Sequence, residues 1–522
     1  MQSGFQKKIL LVGIAVLLLA AVCVAGCVQS SDSGEKVLRI VTLEGPDLSG
    51  SLDPTISWEG WKVVKAGIYE TLFAYDADMI LQPKLATGYT QLNDTTWEIT
   101  LRKGVTFHDG TPFNADSVLY SFNRVLNDSN TREYEYTFIK DVRKTDDYTI
   151  IIETNGNYAP LIASLVDPIM SIVSPNIIDV DKQPVGTGPF VFSSFESGTS
   201  LDLVKNENYW GGDVGLDKVY ITYISDAPSR TLLIKSGDAD VVKDILASEY
   251  NSVNNASDTH VNSTAMLRTY FVYINENKAP FDDVRVRQAL SYAINRQEIV
   301  DTALEGVGGV PAVGPFSYSS PWNANDEIED YAYDKEKALA LFAEAGILPG
   351  ADGKLYYKGE PFTIEITTYS KRAALPPTLE IIAAEYENLG ITVKTRIMDS
   401  SAIKSDVATG NYDMTMAAWS TMPTGDPDYF LSQHFLSTGS YASKWLHYAN
   451  PAVDVLLLEA RTTFDADKRA ELYDEIQKIT QNDVGLIYLF YESQNWGIND
   501  DVSNFEIYPN EYTMMTKDIT IA

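Results

Sequence analysis

The chain of 522 residues contains only two cysteines, Cys23 and Cys27, and both lie close to its N-terminus. No cysteine follows Cys27, which excludes a disulfide framework, a thiolate zinc cluster and a cysteine nucleophile from the rest of the chain. The four histidines form no His-Glu-x-x-His motif, and no Gly-x-Ser-x-Gly motif is present. The signatures of zinc-dependent and serine hydrolases are therefore missing.

Positive charge is also scarce, with 40 lysines and arginines against 72 aspartates and glutamates and a net charge of −32. This balance argues against a nucleic-acid partner, because phosphates require a basic surface. Beyond the N-terminal region, no apolar run approaches the ~20 residues of a membrane-spanning helix. The length predicts two or three domains. We therefore expect an acidic, soluble body that lies outside the membrane.

The N-terminal region has the pattern of an export signal. Lys7 and Lys8 precede an apolar run at 9–21, which is shorter than the ~20 residues of a spanning helix. Residues 24–27 (VAGC) resemble the lipobox of exported lipoproteins, in which the signal is cut before the cysteine. The resemblance implies a signal peptide at 1–27 and lipidation of Cys27; the alternative is an uncleaved anchor helix. The polar residues 28–36 predict a flexible tether.

Strand and helix patterns alternate along the rest of the chain. Residues 95–101 predict a strand, and Asn114 predicts the N-cap of a helix that ends near 126. Residues 362–368, 375–389 and 391–397 predict a βαβ unit, which requires a parallel sheet. Further predicted elements are strands at 148–153, 201–204, 219–224 and 486–491, and helices at 282–294, 334–345 and 465–480. The fold class is therefore predicted as α/β, in more than one domain.

Two glycine-containing segments predict turns. Residues 186–189 (GTGP) lack both the spacing of a dinucleotide motif and the lysine of a P-loop, so they predict a turn where the chain passes between domains. Residues 108–110 (HDG) predict a hairpin turn, since Asp-Gly suits a tight turn.

Seven blocks of sequence together resemble a known family. They are LDP at 52–54, YETL at 69–72, LQPKLA at 81–86, WEITLRKGVTFHDGTPF at 97–113, GTGPF at 186–190, NENYW at 206–210 and VRQALSYAI at 286–294. Their order and spacing are similar to those of the family 5, peptide- and nickel-type, extracellular solute-binding proteins of ABC importers. The resemblance extends from about residue 38 to the C-terminus.

The resemblance implies a bilobal periplasmic-binding-protein fold (type II, cluster C) with three domains and a hinge that lets the lobes close on a ligand. Domain I would comprise 37–50, 189–270 and 485–522, domain II 51–188, and domain III, the second lobe, 271–484. The implied function is a monomeric, lipid-anchored substrate-binding protein at the extracellular face of the cell membrane. It would deliver its solute to membrane permease subunits. No enzymatic activity and no cofactor are expected, and a nickel chelate would be transported cargo.

In this family a recurrent site element follows a tryptophan near the end of a strand, which here is Trp419. Peptide-binding members usually carry an aspartate about three residues later, whereas this chain has Met422 followed by proline, as in nickel-binding members. The resemblance therefore implies solute contacts from Trp419, Met422 and Thr424, with Trp58 as a further cleft residue. The alternative for Trp419 is an ordinary place in the core.

Nickel chelates carry carboxylates, which arginine can hold in bidentate fashion. By alignment, one such arginine of the family falls on Arg132, whose alternative role is that of a surface charge. A second expected arginine is replaced by Met170. A metal-contacting histidine of the family has no equivalent in register, but His434 lies nearby and is the candidate metal ligand. A nickel chelate, a short peptide and another small organic solute therefore remain open.

Two other functions remain as alternatives. Asp426 and Asp428 could form the carboxylate pair of an exported hydrolase, although Pro427 between them favours a turn. A signalling receptor that binds a solute without transporting it would use the same fold.

Overall fold

The computed structural model describes residues 34–43, 45, 51–56, 60–128 and 132–522. The predicted signal peptide, the lipidation site Cys27, most of the tether and the candidate cleft residue Trp58 lie outside the described residues. Within those ranges, no helix has the length and apolar character needed to cross a membrane.

The strands of the described residues are, in chain order, β1 (Val37–Thr42), β2 (Phe73–Tyr75), β3 (Leu81–Pro83), β4 (Ala86–Asn93), β5 (Thr96–Leu101), β6 (Ile139–Asp146), β7 (Thr149–Thr154), β8 (Phe190–Glu196), β9 (Ser200–Lys205), β10 (Lys218–Tyr223), β11 (Val241–Lys243), β12 (Thr259–Ile274), β13 (Gly309–Pro311), β14 (Ile347–Pro349), β15 (Leu355–Tyr357), β16 (Glu360–Pro361), β17 (Thr363–Thr368), β18 (Thr392–Ile397), β19 (Met414–Ser420), β20 (Leu486–Asn499), β21 (Val502–Ser503) and β22 (Thr520–Ile521).

The α-helices of the same ranges are α1 (Gly60–Lys65), α2 (Ala115–Leu126), α3 (Leu161–Ser164), α4 (Ala227–Ser236), α5 (Tyr250–Asn254), α6 (Val284–Tyr292), α7 (Arg296–Ala303), α8 (Lys335–Glu344), α9 (Leu375–Asn388), α10 (Ser400–Ala408), α11 (Asp428–Phe435), α12 (Pro451–Thr462) and α13 (Ala466–Asn482). Three 3₁₀ turns (Glu133–Glu135, Pro168–Met170, Ala247–Glu249) and a π-helix (Ala442–Leu446) complete the helical segments.

The predicted α/β class is confirmed, and local signals account for several elements. Asn114 caps α2: its side chain accepts a hydrogen bond from the Ser117 backbone N–H, and Ser117 bonds back to the Asn114 N–H in a capping box. Strands β17 and β18 are parallel neighbours joined through α9, which confirms the βαβ unit. The strand predicted at 486–491 is longer than expected, because β20 continues to Asn499.

An 11-stranded mixed sheet runs through both lobes, in the order β18-β17-β19-β12-β20-β11-β1-β10-β9-β8, with β13 paired to β20. Its two central strands, β12 and β20, are antiparallel and unusually long. Their outer halves pair 259–265 with 493–499, beside β11. Their inner halves pair 269–273 with 486–491, beside β19. The two lobes are therefore connected by one pair of crossing strands.

The hydrophobic cores divide in the same way. One core packs around β1, β9 and β10, and includes Leu38, Leu203 and Val219. Another fills the space between the four-stranded sheet β4-β5-β7-β6 and α2, around Ile99 and Phe122. Two further cores lie on either side of the inner part of the large sheet. This is the bilobal fold implied by the resemblance; the exact domain boundaries stay a prediction.

A buried glutamate joins several of the sequence blocks that carry the resemblance. The Glu70 carboxylate accepts hydrogen bonds from Thr187 Oγ1 (2.8 Å), Tyr209 O–H (2.7 Å) and Trp210 Nε1 (2.7 Å), and Lys84 Nζ lies 3.4 Å away. These residues come from the YETL, GTGPF, NENYW and LQPKLA blocks. The conspicuous blocks are therefore parts of one polar junction.

The glycines of the GTGPF block allow the backbones to approach at this junction. A Cβ on Gly186 would lie 2.1 Å from the Ile68 carbonyl oxygen, and one on Gly188 would lie 2.1 Å from the Gly67 carbonyl oxygen. The segment therefore packs against backbone and makes no phosphate cradle. At 108–110, Gly110 has φ 81°, and the Phe107 N–H donates to the Thr111 carbonyl (2.8 Å), which confirms the predicted hairpin turn.

We predict that Glu70→Ala lowers the free energy of unfolding by about 3 kcal/mol, because two buried donors, Thr187 and Tyr209, and the partly buried Trp210 N–H lose their acceptor. Thr187→Val removes a single donor and should cost about 1 kcal/mol. Guanidinium-induced unfolding followed by tryptophan fluorescence measures both. Equal, small effects of the two substitutions would contradict the role given to Glu70.

Candidate functional site

The lobes meet across a cleft that is closed in this structure. The Ala159 N–H donates to the Arg461 carbonyl oxygen across the boundary (2.8 Å). The rings of Trp97 and Phe464 lie 5.9 Å apart in an edge-to-face contact. Gly425 packs directly on the ring of Tyr75, so that a Cβ there would lie 2.2 Å from the ring. These contacts enclose the region where the predicted solute residues lie.

An aromatic wall forms the second-lobe side of the cleft. Trp419 lies near the end of β19 and is half-buried. Its ring meets Tyr441 edge-on at 4.8 Å and His434 at 5.0 Å, and Tyr429 is 6.3 Å away. We call Trp419, Tyr429 and Tyr441 the aromatic wall. All three rings keep partial exposure, and Trp419 also packs against the second-lobe core, so its contact with a solute stays a prediction.

An irregular helix supports this wall. Tyr441 immediately precedes the π-helix Ala442–Leu446, and His447, which ends that helix, has φ 57° in the left-handed region. Both features are uncommon, and such local irregularities cluster at functional sites in proteins. The segment also places Trp445 5.5 Å from the Tyr441 ring.

A buried charge cluster lies on the opposite side, in the predicted domain II. Nη2 of Arg132 donates to both oxygens of Asp167, at 2.7 and 2.8 Å. Its Nη1 donates to Glu135 at 2.9 Å. The alternative of a surface charge is therefore wrong for Arg132, whose side chain is only 7% exposed. With one cation and two carboxylates, the Arg132–Asp167–Glu135 cluster has a formal charge of −1.

The charge cluster lies within electrostatic reach of one ring of the aromatic wall, that of Tyr429. Burial raises the pKa of the Tyr429 hydroxyl, and the charges of Glu135, Arg132 and Asp167 also act on it. Tyr512, from the C-terminal segment, experiences the same charges and lines a small cavity together with Arg132 and Asp167. Tyr512 therefore lies beside the Arg132–Asp167–Glu135 cluster.

Sequence reasoning missed most of these partners. Glu135 follows Arg132 by three residues, and Asp167 precedes a proline. Both positions are typical of turns, so the sequence could indicate a turn at each. Nothing local connected Asp167 to Arg132, which lies 35 residues earlier. Tyr429 and Tyr441 carried no signal beyond their position after Trp419.

Two predicted contacts lie beneath the wall. Met422 has no exposed surface; it packs in the second-lobe core, and the Ser320 hydroxyl donates to its sulfur at 3.3 Å. A direct solute contact from Met422 is contradicted by this burial. Thr424 is also buried, in the loop that reaches Tyr75, and its predicted contact stays a prediction.

His434 is a core residue and not a metal ligand in this geometry. Its Nε2 is hydrogen-bonded with the Tyr273 hydroxyl and its Nδ1 with the Phe430 carbonyl, both at 2.9 Å, and the side chain is fully buried. Both ring nitrogens are therefore occupied, and the candidate metal contact is corrected. No group of three or more potential metal ligands occurs in the part of the chain that the structure describes.

The two aspartates considered for a hydrolase are each bound by their own arginine. Both carboxylate oxygens of Asp426 accept hydrogen bonds from Arg469 Nη2, at 2.9 and 3.0 Å. Asp428 accepts a hydrogen bond from Arg461 Nε at 3.1 Å. The Asp428 N–H donates to Asp426 (3.0 Å), as expected of a turn that starts α11. Both carboxylates are buried and serve the structure of the loop.

We predict a pH effect on stability from His434. Burial lowers the pKa of its imidazole from 6.5 to about 3. Below pH 6.5 this imidazole is protonated in the unfolded chain but stays neutral in the folded chain. Lowering the pH therefore favours the unfolded state, and the free energy of unfolding falls between pH 6.5 and about 3. On going from pH 7 to pH 5, the wild type should lose about 2 kcal/mol more than His434→Gln. Denaturant unfolding at the two pH values measures this; equal losses would contradict it.

Comparisons with known proteins identify the family. The model of the bacterial extracellular solute-binding proteins, family 5 (middle region), matches residues 81–442. Heme-binding protein A of Haemophilus influenzae is 32% identical over 432 residues, which cover 77% of this chain and 77% of that protein. The dipeptide-binding protein of Escherichia coli is 28% identical, covering 82% of this chain and 84% of its own length.

A solved structure shows the same fold over nearly the whole chain. The crystal structure of a nickel ABC transporter protein from Bacillus halodurans is 28% identical and superposes with a TM-score of 0.80, covering 93% of this chain and all of the other. Such relatives are binding proteins of transport systems and not enzymes, which overturns the hydrolase alternative. The chain belongs to family 5 of the extracellular solute-binding proteins, the substrate-binding components of ABC importers.

Proposed function

We propose that this protein is a lipid-anchored extracellular receptor that captures a nickel chelate or a short peptide between its lobes and delivers it to membrane permease subunits. The observation that carries the proposal is the aromatic wall together with the buried Arg132–Asp167–Glu135 cluster, whose charges act on Tyr429 of that wall. The lipobox resemblance at 24–27 supports the anchor, which would keep the receptor close to its permease.

The chemistry of the two sides suits a compact solute with planar and charged groups. Aromatic faces stack on planar groups, including the imidazole and amide groups of amino acids. The cluster already holds Arg132 with two carboxylates, so a solute carboxylate gains from Arg132 only if the solute brings a positive group for Glu135 or Asp167. Amino-acid chelates and short peptides both carry carboxylate and ammonium groups.

The similar proteins support both solutes of the proposal, a nickel chelate and a short peptide. The names of the similar proteins include dipeptides, nickel and heme. His434 cannot act as a nickel ligand, because both of its ring nitrogens are hydrogen-bonded. If nickel is the cargo, the chelator therefore has to supply most of its ligands.

The identity of the solute is tested by native mass spectrometry of protein lacking residues 1–27, combined with elemental analysis for nickel. The protein is measured alone and with nickel plus L-histidine or citrate. We expect either a mass gain equal to one nickel chelate or a set of peptide masses without metal. The proposal fails if neither nickel chelates nor a peptide library binds to the folded protein.

We predict that Trp419→Ala weakens binding of the solute identified in this way by at least about tenfold, or ~1.4 kcal/mol, because the stacking surface is lost. Trp322→Ala is the matched control, since Trp322 packs on Tyr473 in the second lobe and not on the aromatic wall. Isothermal titration calorimetry compares the two variants. Equal solute affinities of the two variants would show that Trp419 does not contact the solute.

We predict a loss of at least about tenfold, ~1.4 kcal/mol, in affinity for Arg132→Ala as well. This change also leaves Asp167 and Glu135 as buried charges without their cation, so the protein should become less stable. Arg39→Ala, which removes an ion pair with Asp240 in the first lobe, is the control for ion-pair loss outside the cleft. Unchanged affinity in both Trp419→Ala and Arg132→Ala, measured on folded protein, would refute the site while leaving the fold intact.

A further inference from the structure

A short hairpin of the predicted domain II reaches across the cleft. Strands β2 and β3 pair antiparallel, and residues 76–80 form the tip between them. At the base of the hairpin, Phe73 is buried in the core between α2 and the four-stranded sheet. The base is therefore fixed in the same predicted domain that carries Arg132.

The tip of the hairpin is buried in the other lobe. Met79 is only 4% exposed and belongs to the second-lobe core, together with Met422 and Phe430. Its neighbours Asp78 and Ile80 are both exposed, the latter by 59%. One side chain of the tip thus leaves its own domain and packs in the apolar core of the opposite lobe.

Tyr75 lies between these two cores. Its ring packs against the core of the predicted domain II and also against the second-lobe core. Gly425, in the loop between β19 and α11, lies directly on that ring, since a Cβ on this glycine would come within 2.2 Å of it. The loop is itself held by the ion pair of Asp426 with Arg469. Tyr75 and Met79 therefore give the hairpin two contacts with the second lobe.

The shape of the tip is determined by hydrogen bonds within the hairpin. The Asp76 carboxylate accepts from the Asp78 N–H (3.1 Å), the Ile80 N–H (2.9 Å) and Gln82 Nε2 (2.7 Å). Met79 has φ 59°, in the left-handed region that residues with a side chain rarely adopt. Such conformations persist only where the surrounding structure fixes them, and they cluster at functional sites. We therefore expect the tip to keep its shape when the lobes separate.

We propose that the β2–β3 hairpin is a latch between the lobes, in which Met79 and Tyr75 are positioning residues that hold the second lobe in the closed arrangement. Both contacts join the predicted domain II to the second lobe, so opening of the cleft breaks them. Opening also exposes the apolar Met79 side chain to water, which favours the closed arrangement. The latch depends on the proposed function only in taking this cleft as the place where the solute is captured.

The test measures lobe closure without any solute. The Ala159 N–H donates to the Arg461 carbonyl across the cleft, so its hydrogen exchange reports opening of the lobes. In the full-length chain in detergent, Met79→Ala should speed exchange at Ala159 by at least about tenfold. Met79→Leu keeps an apolar side chain of similar size and should stay within about twofold of the wild type. Ile80→Ala, the control for an exposed residue of the same tip, should leave the exchange rate unchanged.

A second readout distinguishes a latch from an ordinary core residue. Ile476 lies within α13 and belongs to the same core as Met79. If Met79 only fills that core, Met79→Ala speeds exchange at Ile476 as much as at Ala159, and the proposal is overturned. A latch requires that exchange at Ile476 keeps the wild-type rate.

A substitution on the other side of the contact gives an independent test. Gly425→Ala places a Cβ against the Tyr75 ring and should speed exchange at Ala159 by at least about tenfold. Gly410→Ala is the matched control, because Gly410 has φ 69°, close to the 71° of Gly425. Among the described residues, no atom lies within 4 Å of a Cβ on Gly410. Both changes therefore carry similar backbone strain, but only Gly425→Ala disturbs the latch.

Gly425→Ala decides the test if Met79→Ala does not fold. Wild-type exchange rates at Ala159 in the folded variants would overturn the proposal, and so would equal effects of Gly425→Ala and Gly410→Ala. Failure of the wild type to bind nickel–histidine or peptides would refute the proposed function alone, since the exchange measurement contains no solute.

Discussion

The pairing of β12 with β20 is the constraint on which the rest of the structure depends. These two strands carry the large sheet from one lobe into the other, and each lobe builds its own core on its own half of the pair. A continuous, regular ladder would make the lobes one rigid body. The register of this pair shifts between Ala265 and Thr269 and again between Tyr270 and Phe271. Such irregularities bend a strand, so that each lobe keeps its internal packing while this stretch of the pair sets the angle between them.

The β12–β20 pair lets the angle between the lobes vary, whereas the junction at Glu70 fixes two parts of the molecule to each other. A buried carboxylate with three hydrogen-bond donors and a nearby lysine has few alternative arrangements, because each unmet donor would cost free energy. This junction therefore holds the predicted domain II against the first lobe. We expect the two to move as one body when the lobes close on a solute.

The sequence contained enough information for the local elements and the family, but not for the charge pairs. The helix after Asn114 and the βαβ unit at 362–397 could be predicted because their signals, a cap and two periodicities, lie within a few residues of each other. The strand at 486–491 was predicted too short because its apolar run ends at Tyr491. The following residues, such as Gln494 and Asn495, are polar and become strand only through pairing with β12.

The site residues illustrate the same limit. The resemblance pointed to Trp419 and Arg132, and the structure places them on opposite sides of one cleft. The partners of Arg132 are determined by tertiary structure, and a single sequence gives no sign that Asp167 forms an ion pair with the Arg132 guanidinium. His434 lies in a helix whose exposed and buried faces the sequence did not distinguish, so its place among Phe430, Tyr273 and Tyr441 emerged only in three dimensions.

Several direct contacts cross the cleft: the Ala159–Arg461 hydrogen bond, the Trp97–Phe464 ring pair and the packing of Gly425 on Tyr75. Part of the free energy of closure is therefore intrinsic to the receptor, and a solute has to contribute only the remainder.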